Sequence, residues 1–114
     1  MNKFGNHKVV LDGETFDSKH EATRWCELRY MERAGLITDL HRQVAYELIP
    51  VQRSPETGKV VERACKYIAD FVYIVKATQK VVVEDAKSPA TRTDAYRIKK
   101  KLMLKKYNIE IKEV

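Results

Sequence analysis

The sequence predicts an α/β fold in which two helices are separated by a run of strands. Apolar residues recur at three- and four-residue steps over 18–34 and again over 94–107, a spacing typical of helices. Between them, 43–49, 60–75 and 81–87 are rich in β-branched and aromatic residues and have the character of strands. The predicted order is therefore hairpin, helix, three strands of antiparallel type, helix and strand.

A short hairpin and the first helix follow from turn and capping residues. Asp12-Gly13 is a favoured two-residue turn, so residues 9–16 are expected to form a hairpin. Ser18 is placed to cap the next helix, and Glu21 stands three residues later, at the spacing of a capping box. Gly35 is expected to end that helix.

Turn and capping residues also delimit the second half of the chain. Breaks are expected at 54–58, 76–80 and 88–92, where turn-forming and polar residues cluster. Thr93 or Asp94 can cap the second helix, Asn108 can end it, and 109–114 alternates as a last strand. The residues of this helix that are expected to face inward are Ala95, Ile98, Leu102 and Met103.

Length and composition exclude several classes of protein. The 114 residues, 44% apolar and 33% charged, suit one domain over 1–114 with a single core. No apolar run reaches the roughly 18 residues of a membrane span, and the N-terminus lacks the apolar segment of a signal peptide, so we expect a cytoplasmic protein. Cys26 and Cys65 are too few for a disulfide framework and are expected to be buried as small apolar residues.

The net charge of +6 is concentrated at one end of the chain. Residues 1–86 are balanced in charge, whereas 87–114 hold nine Lys and Arg against three Asp and Glu. A localised basic excess is typical of a protein that binds a polyanion such as DNA. The alternative is a solvated, lysine-rich helix without such a partner.

Three residues on two neighbouring predicted strands are candidates for chemistry. Asp70 lies within an apolar strand, where a charge is costly unless it is paired or bound to a metal. Asp85 and Lys87 end the next strand two residues apart and should share a face, while Glu84 points to the other face. If the two strands pair through the short turn between them, Asp70 lies opposite about residue 86, beside Asp85.

Two carboxylates at this separation form a site for a hard divalent cation, which relieves their repulsion. Mg²⁺ keeps several waters and binds phosphate oxygens, so such a site suits phosphodiester cleavage, with a lysine to orient the attacking water or stabilise the developing charge. Each part also has an ordinary explanation. Asp85 and Lys87 can form a surface ion pair that contributes little, and Asp70 can satisfy a loop backbone.

Asp70, followed after a hairpin by Asp85-Ala86-Lys87, resembles the PD-(D/E)xK nuclease signature, with Ala69 in place of its proline. The chain is also similar to a small phage-encoded family of nuclease-like proteins and, in layout, to phage Holliday-junction-resolving endonucleases. The resemblance implies a restriction-endonuclease-like αβββαβ core, which is a mixed central sheet flanked by two helices, preceded by a short hairpin. The stretches that carry it are 16–21, 67–71, 83–87 and 107–111.

The resemblance implies a role for each matching residue. Asp70 and Asp85 would bind Mg²⁺ or Mn²⁺ together with the carbonyl of Ala86, and Lys87 would be the active-site lysine. Glu21 would be the acid that many members add from the first helix, although its capping position leaves a purely structural role open.

A divalent-metal-dependent DNA endonuclease that acts on branched or recombining phage DNA in the bacterial host is therefore the expected function. The chain has no room for a separate sequence-reading domain, and symmetric resolution of a four-way junction would need a homodimer. Gln43 resembles the polar residue that some members place near the site.

A catalytically silent nucleic-acid-binding module on the same fold is the alternative. The residues expected to bind DNA are Arg92, Arg97, Lys99, Lys100, Lys101, Lys105 and Lys106.

Overall fold

A computed structural model describes residues 8–87 and 89–114. The elements follow one another as β1 (Val9–Leu11), β2 (Glu14–Phe16), α1 (Lys19–Arg33), β3 (Ile37–Ile49), β4 (Gln52–Arg53), β5 (Val60–Glu62), β6 (Cys65–Val75), β7 (Lys80–Asp85), a 3₁₀ turn (Pro89–Thr91), α2 (Asp94–Tyr107) and β8 (Lys112–Glu113).

The strands form one central sheet and two separate ribbons. The sheet has the order β3-β6-β7-β8, in which β3, β6 and β7 are antiparallel neighbours and β8 pairs with β7 in parallel. β1 pairs with β2 as the N-terminal hairpin, and β4 pairs with β5 as a second two-stranded ribbon. The fold is thus mixed α/β with an N-terminal hairpin, a mixed four-stranded sheet and two helices, as predicted, whereas the β4–β5 ribbon was not predicted.

The two N-terminal elements form as their turn and cap residues indicate. Asp12 and Gly13 have φ angles of 51° and 79°, the left-handed pair that a two-residue hairpin turn of type I′ requires. The Ser18 hydroxyl accepts a hydrogen bond of 3.1 Å from the backbone N–H of Glu21, which caps α1. Gly35, at φ 77°, follows the last turn of the helix.

The second helix has the predicted bounds but a different buried face. Thr93 caps α2 by accepting from the backbone N–H of Tyr96, and Asn108 ends the helix in the left-handed conformation. Met103 is buried and Leu102 half-buried, as predicted. The prediction that Ala95 and Ile98 face inward was wrong: both are exposed, and Tyr96 is buried in their place. The helix is rotated because burial of the large Tyr96 ring outweighs burial of a small alanine.

The four strands predicted after α1 and one loop differ from the structure. The strand predicted over 43–49 begins six residues earlier, as β3 (Ile37–Ile49). The stretch 60–75 is broken between β5 and β6, and β7 ends at Asp85, so Lys87 lies beyond the strand. The last strand is only two residues long, and the backbone N–H of Ile109 bonds to the carbonyl of Met103 at the end of α2. In the predicted loop 88–92, Pro89–Thr91 form the 3₁₀ turn, and Ser88 lies outside the described residues.

Two apolar clusters cover opposite faces of the sheet, in place of one core. The first contains Trp25 and Leu28 of α1, and the second contains Tyr96 and Met103 of α2. Neighbours along β7 are divided between them: Val82 packs in the first cluster and Val83 in the second. Successive strand residues point to opposite faces, so α1 and α2 lie on opposite sides of the sheet.

Strand β6 changes face in its middle. Phe71 and Tyr73 pack in the cluster under α1, whereas Tyr67 and Ala69 pack in the cluster under α2. Regular alternation would place all four side chains on one face. The strand therefore turns over at Asp70, and this places Asp70 at the boundary between the two clusters.

Neither helix in the described ranges combines the length and apolarity that crossing a membrane would take.

Cys26 is exposed and Cys65 is half-buried, and both are free thiols. The prediction of buried cysteines was wrong for Cys26, because that residue lies one position around α1 from the inward-facing Trp25.

Candidate functional site

Asp70 lies among groups that disfavour its negative charge. Burial is the largest cause that raises the pKa of Asp70 to about 7, and the charges of Asp85 and then Glu21 add to it. In opposition, the backbone N–H of Ala86 donates a 2.8 Å hydrogen bond to Oδ2 of Asp70. The structure thus brings the two aspartates together across β6 and the end of β7.

Asp85 is nearly completely buried, and its carboxylate contacts one hydroxyl group and one ammonium group. The Tyr67 hydroxyl donates to Oδ2 at 2.5 Å, and Nζ of Lys87 lies 3.3 Å from Oδ1. The same ammonium group sits 4.2 Å from the centroid of the Tyr96 ring, a cation–π contact. Lys87 therefore reaches Asp85 from the loop after β7, although it does not belong to the strand.

Gln43 connects the acids of α1 and β6. Its Nε2 lies 3.4 Å from Oδ1 of Asp70 and 3.4 Å from Oε1 of Glu21. Gln43 has φ 52° in the middle of β3, a left-handed conformation that costs a non-glycine residue about 1 to 3 kcal/mol. The conformation directs an amide donor between two carboxylates, which is the position that the resemblance implied for this residue.

Glu21 is buried at the start of α1, and neither of its two predicted roles accounts for all of its contacts. Its carboxylate pairs with Arg42 at 3.3 Å and accepts from Gln43. Burial raises the pKa of Glu21, while the hydrogen bond from Arg42 and a backbone hydrogen bond at Asp17 lower it. The backbone hydrogen bond at Asp17 holds the Glu21 carboxylate near the start of α1. The negative charge of Glu21 also adds to the burial and the Asp85 charge that raise the pKa of Asp70.

The donor set of the site suits a hard cation. Carboxylate oxygens are the ligands that Mg²⁺ and Mn²⁺ prefer, and a cation would relieve the repulsion that raises the pKa of Asp70. Across 8–87 and 89–114, no three or more His, Cys, Asp and Glu side chains are grouped so as to hold a metal ion. The residues that could hold the cation are therefore Asp70 and Asp85, together with the carbonyl of Ala86, which follows Asp85 in the chain.

A cleft of about 280 Å³ opens beside Asp85 and Lys87. β6 and α2 form its other walls, so the cleft lies on the α2 side of the sheet. One of the predicted DNA-binding residues, Lys99, lines this cleft. The remaining wall residues are Lys66, Tyr67, Ile68, Thr93, Ala95 and Tyr96.

The other six basic residues are divided between paired and exposed positions. Arg92 and Lys100 pair with Glu113 at 3.1 and 3.3 Å, and Lys106 donates to the backbone carbonyl of Glu47. The rest are exposed on α2, namely Lys101, Lys105 and Arg97, the last of which pairs with the exposed Asp94 at 3.5 Å. Only Lys99 among the seven borders the cleft.

A second polar network lies on the opposite face of the sheet and was not predicted. Glu84 is fully buried, and Arg24 binds it through two hydrogen bonds of 2.8 and 2.6 Å. The Tyr73 hydroxyl also donates to Glu84, and Lys112 lies 3.9 Å away. The expected orientation of Glu84 away from Asp85 was correct, but its partners are 60 residues distant or on other strands.

Tyr67 and Tyr96 are the site residues that the sequence analysis did not identify as such. Tyr67 lies three residues before Asp70 on the same strand, but regular alternation places the two on opposite faces. Its contact with Asp85 arises because β6 turns over between them. Tyr96 is buried, and its contact with Lys87 depends on the docking of α2.

Comparisons with known proteins add a family. No curated protein and no solved structure shows significant similarity to the chain. A family model does match, over residues 1–113. The chain accordingly belongs to DUF1064, a protein family of unknown function.

Proposed function

We propose that this chain is a divalent-metal-dependent DNA endonuclease with a restriction-endonuclease-like core of the PD-(D/E)xK type. One observation carries the proposal: Asp70 of β6 and Asp85 of β7 lie together on neighbouring strands, the backbone N–H of Ala86 donates to Asp70 at 2.8 Å, and the Lys87 ammonium group lies 3.3 Å from Asp85. Two acids and a lysine, grouped where the middle of β6 meets the end of β7, are the groups that hydrolysis of a phosphodiester needs.

Each of the chain's own residues has a defined task in this proposal. Asp70 and Asp85 hold the cation, and Tyr67 fixes the orientation of the Asp85 carboxylate. A bound Mg²⁺ or Mn²⁺ would acidify a water and neutralise charge on the phosphate. Lys87, kept in place by Asp85 and the face of Tyr96, stabilises charge that develops on the scissile phosphate.

The substrate we propose is branched or double-stranded DNA. The cleft beside Asp85 is lined by Lys66, Lys87 and Lys99, whose charges attract the phosphate backbone without reading its sequence. Selectivity would then come from DNA shape, and a homodimer would supply the two sites that a four-way junction requires.

Cleavage assays test the proposal directly. Supercoiled plasmid and a synthetic four-way junction are incubated with the protein in Mg²⁺, Mn²⁺ or EDTA. Cleavage is expected with either metal and lost in EDTA, in Asp70→Asn and in Asp85→Asn, and at least 100-fold slower in Lys87→Met. Asp94→Asn, at a fully exposed acid, is the matched control and should cut like the unmodified chain.

Two results would contradict the proposal. Binding without cutting under every metal condition would indicate the alternative, a silent nucleic-acid-binding module. Cutting that survives in Asp70→Asn and Asp85→Asn would mean that the aspartate pair does not catalyse the observed cleavage. Circular dichroism of each variant shows that a lost activity is not a lost fold.

A further inference from the structure

The ribbon formed by β4 and β5 stands apart from the central sheet. The two strands hydrogen-bond to each other and belong to no other sheet of the described residues. Every residue of both strands is exposed, including Val60 and Val61 at 51% and 59%. The radius of gyration is 16.6 Å, against about 13 Å for a compact domain of this length, in keeping with an elongated molecule.

Although exposed, the ribbon has a well-bonded tip. The backbone N–H of Ser54 donates to the carbonyl of Lys59, and the carbonyl of Ser54 accepts from the backbone N–H of Gly58. The Ser54 hydroxyl accepts from the backbone N–H groups of Glu56 and Thr57. The Arg53 guanidinium donates to the carbonyl of Gly58 at 2.9 Å. A bare two-stranded ribbon is marginally stable in water, so these bonds preserve a shape that burial does not support.

The ribbon leads directly to the cleft. β5 is followed after two residues by β6, whose residues Lys66, Tyr67 and Ile68 line the cleft that contains Asp85 and Lys87. At about 3.3 Å per residue, Val60 lies up to about 20 Å along the chain from Lys66. That distance corresponds to roughly six base pairs of duplex, since ten occupy about 34 Å.

Charge favours a nucleic acid as the occupant of this surface. Lys59 and Arg63 flank the exposed valines of β5, and Glu62 is the one acid of that strand. Lys66 lies further along the chain toward the cleft, which contains two more lysines. Basic groups bind phosphates, and the major groove of a duplex is wide enough to admit a two-stranded ribbon. Val60 and Val61 would then contact the groove.

We infer that the β4–β5 ribbon binds the duplex arm next to the cleaved phosphate. This inference rests on the proposed function and deepens it, because it assigns a DNA-contacting surface outside the C-terminal basic segment. The ribbon would position the backbone in the cleft from one side, and the protected region should therefore extend about six base pairs further on that side.

Binding and footprinting in EDTA, which need no cleavage, test the inference. Affinity for a labelled junction is measured by fluorescence anisotropy over a salt series for Lys59→Ala/Arg63→Ala, which leaves the Arg53 bond at the tip intact. We expect affinity to fall at least tenfold at 100 mM salt, the salt slope to fall by about 2, and one side of the hydroxyl-radical footprint to shorten. Val60→Thr/Val61→Thr should weaken binding without changing the slope.

Lys76→Ala/Lys80→Ala is the control, since it removes two exposed lysines at the turn between β6 and β7, at the far end of β6 from the ribbon. It should leave affinity and footprint unchanged.

If the unmodified chain binds and cuts DNA but the ribbon variant has its full affinity and footprint, the ribbon inference fails alone. If the unmodified chain neither binds nor cuts, both fail. If light scattering shows that the ribbon variants convert a dimer to a monomer with the footprint intact, the ribbon is a subunit contact and the inference is wrong.

Discussion

The hydroxyl of Tyr67 and the carboxylate of Asp85, eighteen residues apart in the chain, form a hydrogen bond of 2.5 Å inside the protein. Tyr67 is 3% exposed and so is Asp85, which leaves water little access to the bond. A buried carboxylate needs such partners, because an unsatisfied charged acceptor is costly in a medium of low dielectric.

Removal of this hydroxyl should destabilise the protein. Tyr67→Phe keeps the ring and leaves Asp85 with Lys87 as its remaining side-chain partner of those described above. We expect the free energy of unfolding to fall by about 1 to 3 kcal/mol, measured by urea denaturation. Tyr30→Phe is the control, because Tyr30 is 74% exposed and its hydroxyl faces water. Equal stability of the two variants would mean that the Tyr67 bond contributes nothing net.

The raised pKa of Asp70 predicts a pH dependence of stability. Between about pH 4 and pH 7 the carboxyl is protonated in the folded chain and ionised in the unfolded chain, so stability falls as pH rises through this window. Asp70→Asn removes the group that titrates. In EDTA, the stability of the variant relative to the unmodified chain should therefore increase by about 2 to 3 kcal/mol from pH 5 to pH 8. A difference that stays constant with pH would show that Asp70 titrates normally.

Divalent metal should stabilise the folded chain, and more strongly at pH 8 than at pH 6. A cation at the aspartate pair competes with the proton on Asp70, whose pKa of about 7 lies between these two values. At a metal concentration of 100 times Kd the expected gain is about 2.7 kcal/mol, seen as a rise in melting temperature. Asp70→Asn/Asp85→Asn should show no such rise. A gain of equal size in that double variant would place the metal elsewhere.

The ion pair under α1 should be sensitive to loss of one partner. Arg24→Met leaves the fully buried Glu84 without its main counter-charge, and we expect a loss of about 3 kcal/mol in urea unfolding. Adding Glu84→Gln to that variant should recover part of the loss, because no unpaired charge then remains. Arg97→Met, at an exposed pair with Asp94, should cost less than about 0.5 kcal/mol. An Arg24→Met effect as small as this would mean that Tyr73 and Lys112 alone satisfy Glu84.

Local patterns in the sequence predicted the elements that local interactions define. The bounds of α2 and its caps, Thr93 and Asn108, follow from short-range hydrogen bonds within a few residues. The Asp12-Gly13 turn and the Ser18 cap are of the same kind. The inward face of α2 was predicted correctly at Met103 but incorrectly at Ala95 and Ile98. Its rotation is set by burial of the Tyr96 ring, which contacts Lys87 and Glu113, rather than by the helix itself.

The chemistry-bearing residues could be chosen from the sequence, whereas their surroundings could not. An aspartate within an apolar strand and an acid two residues before a lysine are visible in one dimension, and strand pairing across a short turn predicts that they meet. The turning-over of β6 at Asp70, the left-handed backbone at Gln43 and the closure of Tyr67 onto Asp85 depend on how two apolar clusters divide one sheet between them. Contacts of this kind join residues from distant parts of the chain, and they form only when the packing of both faces is complete.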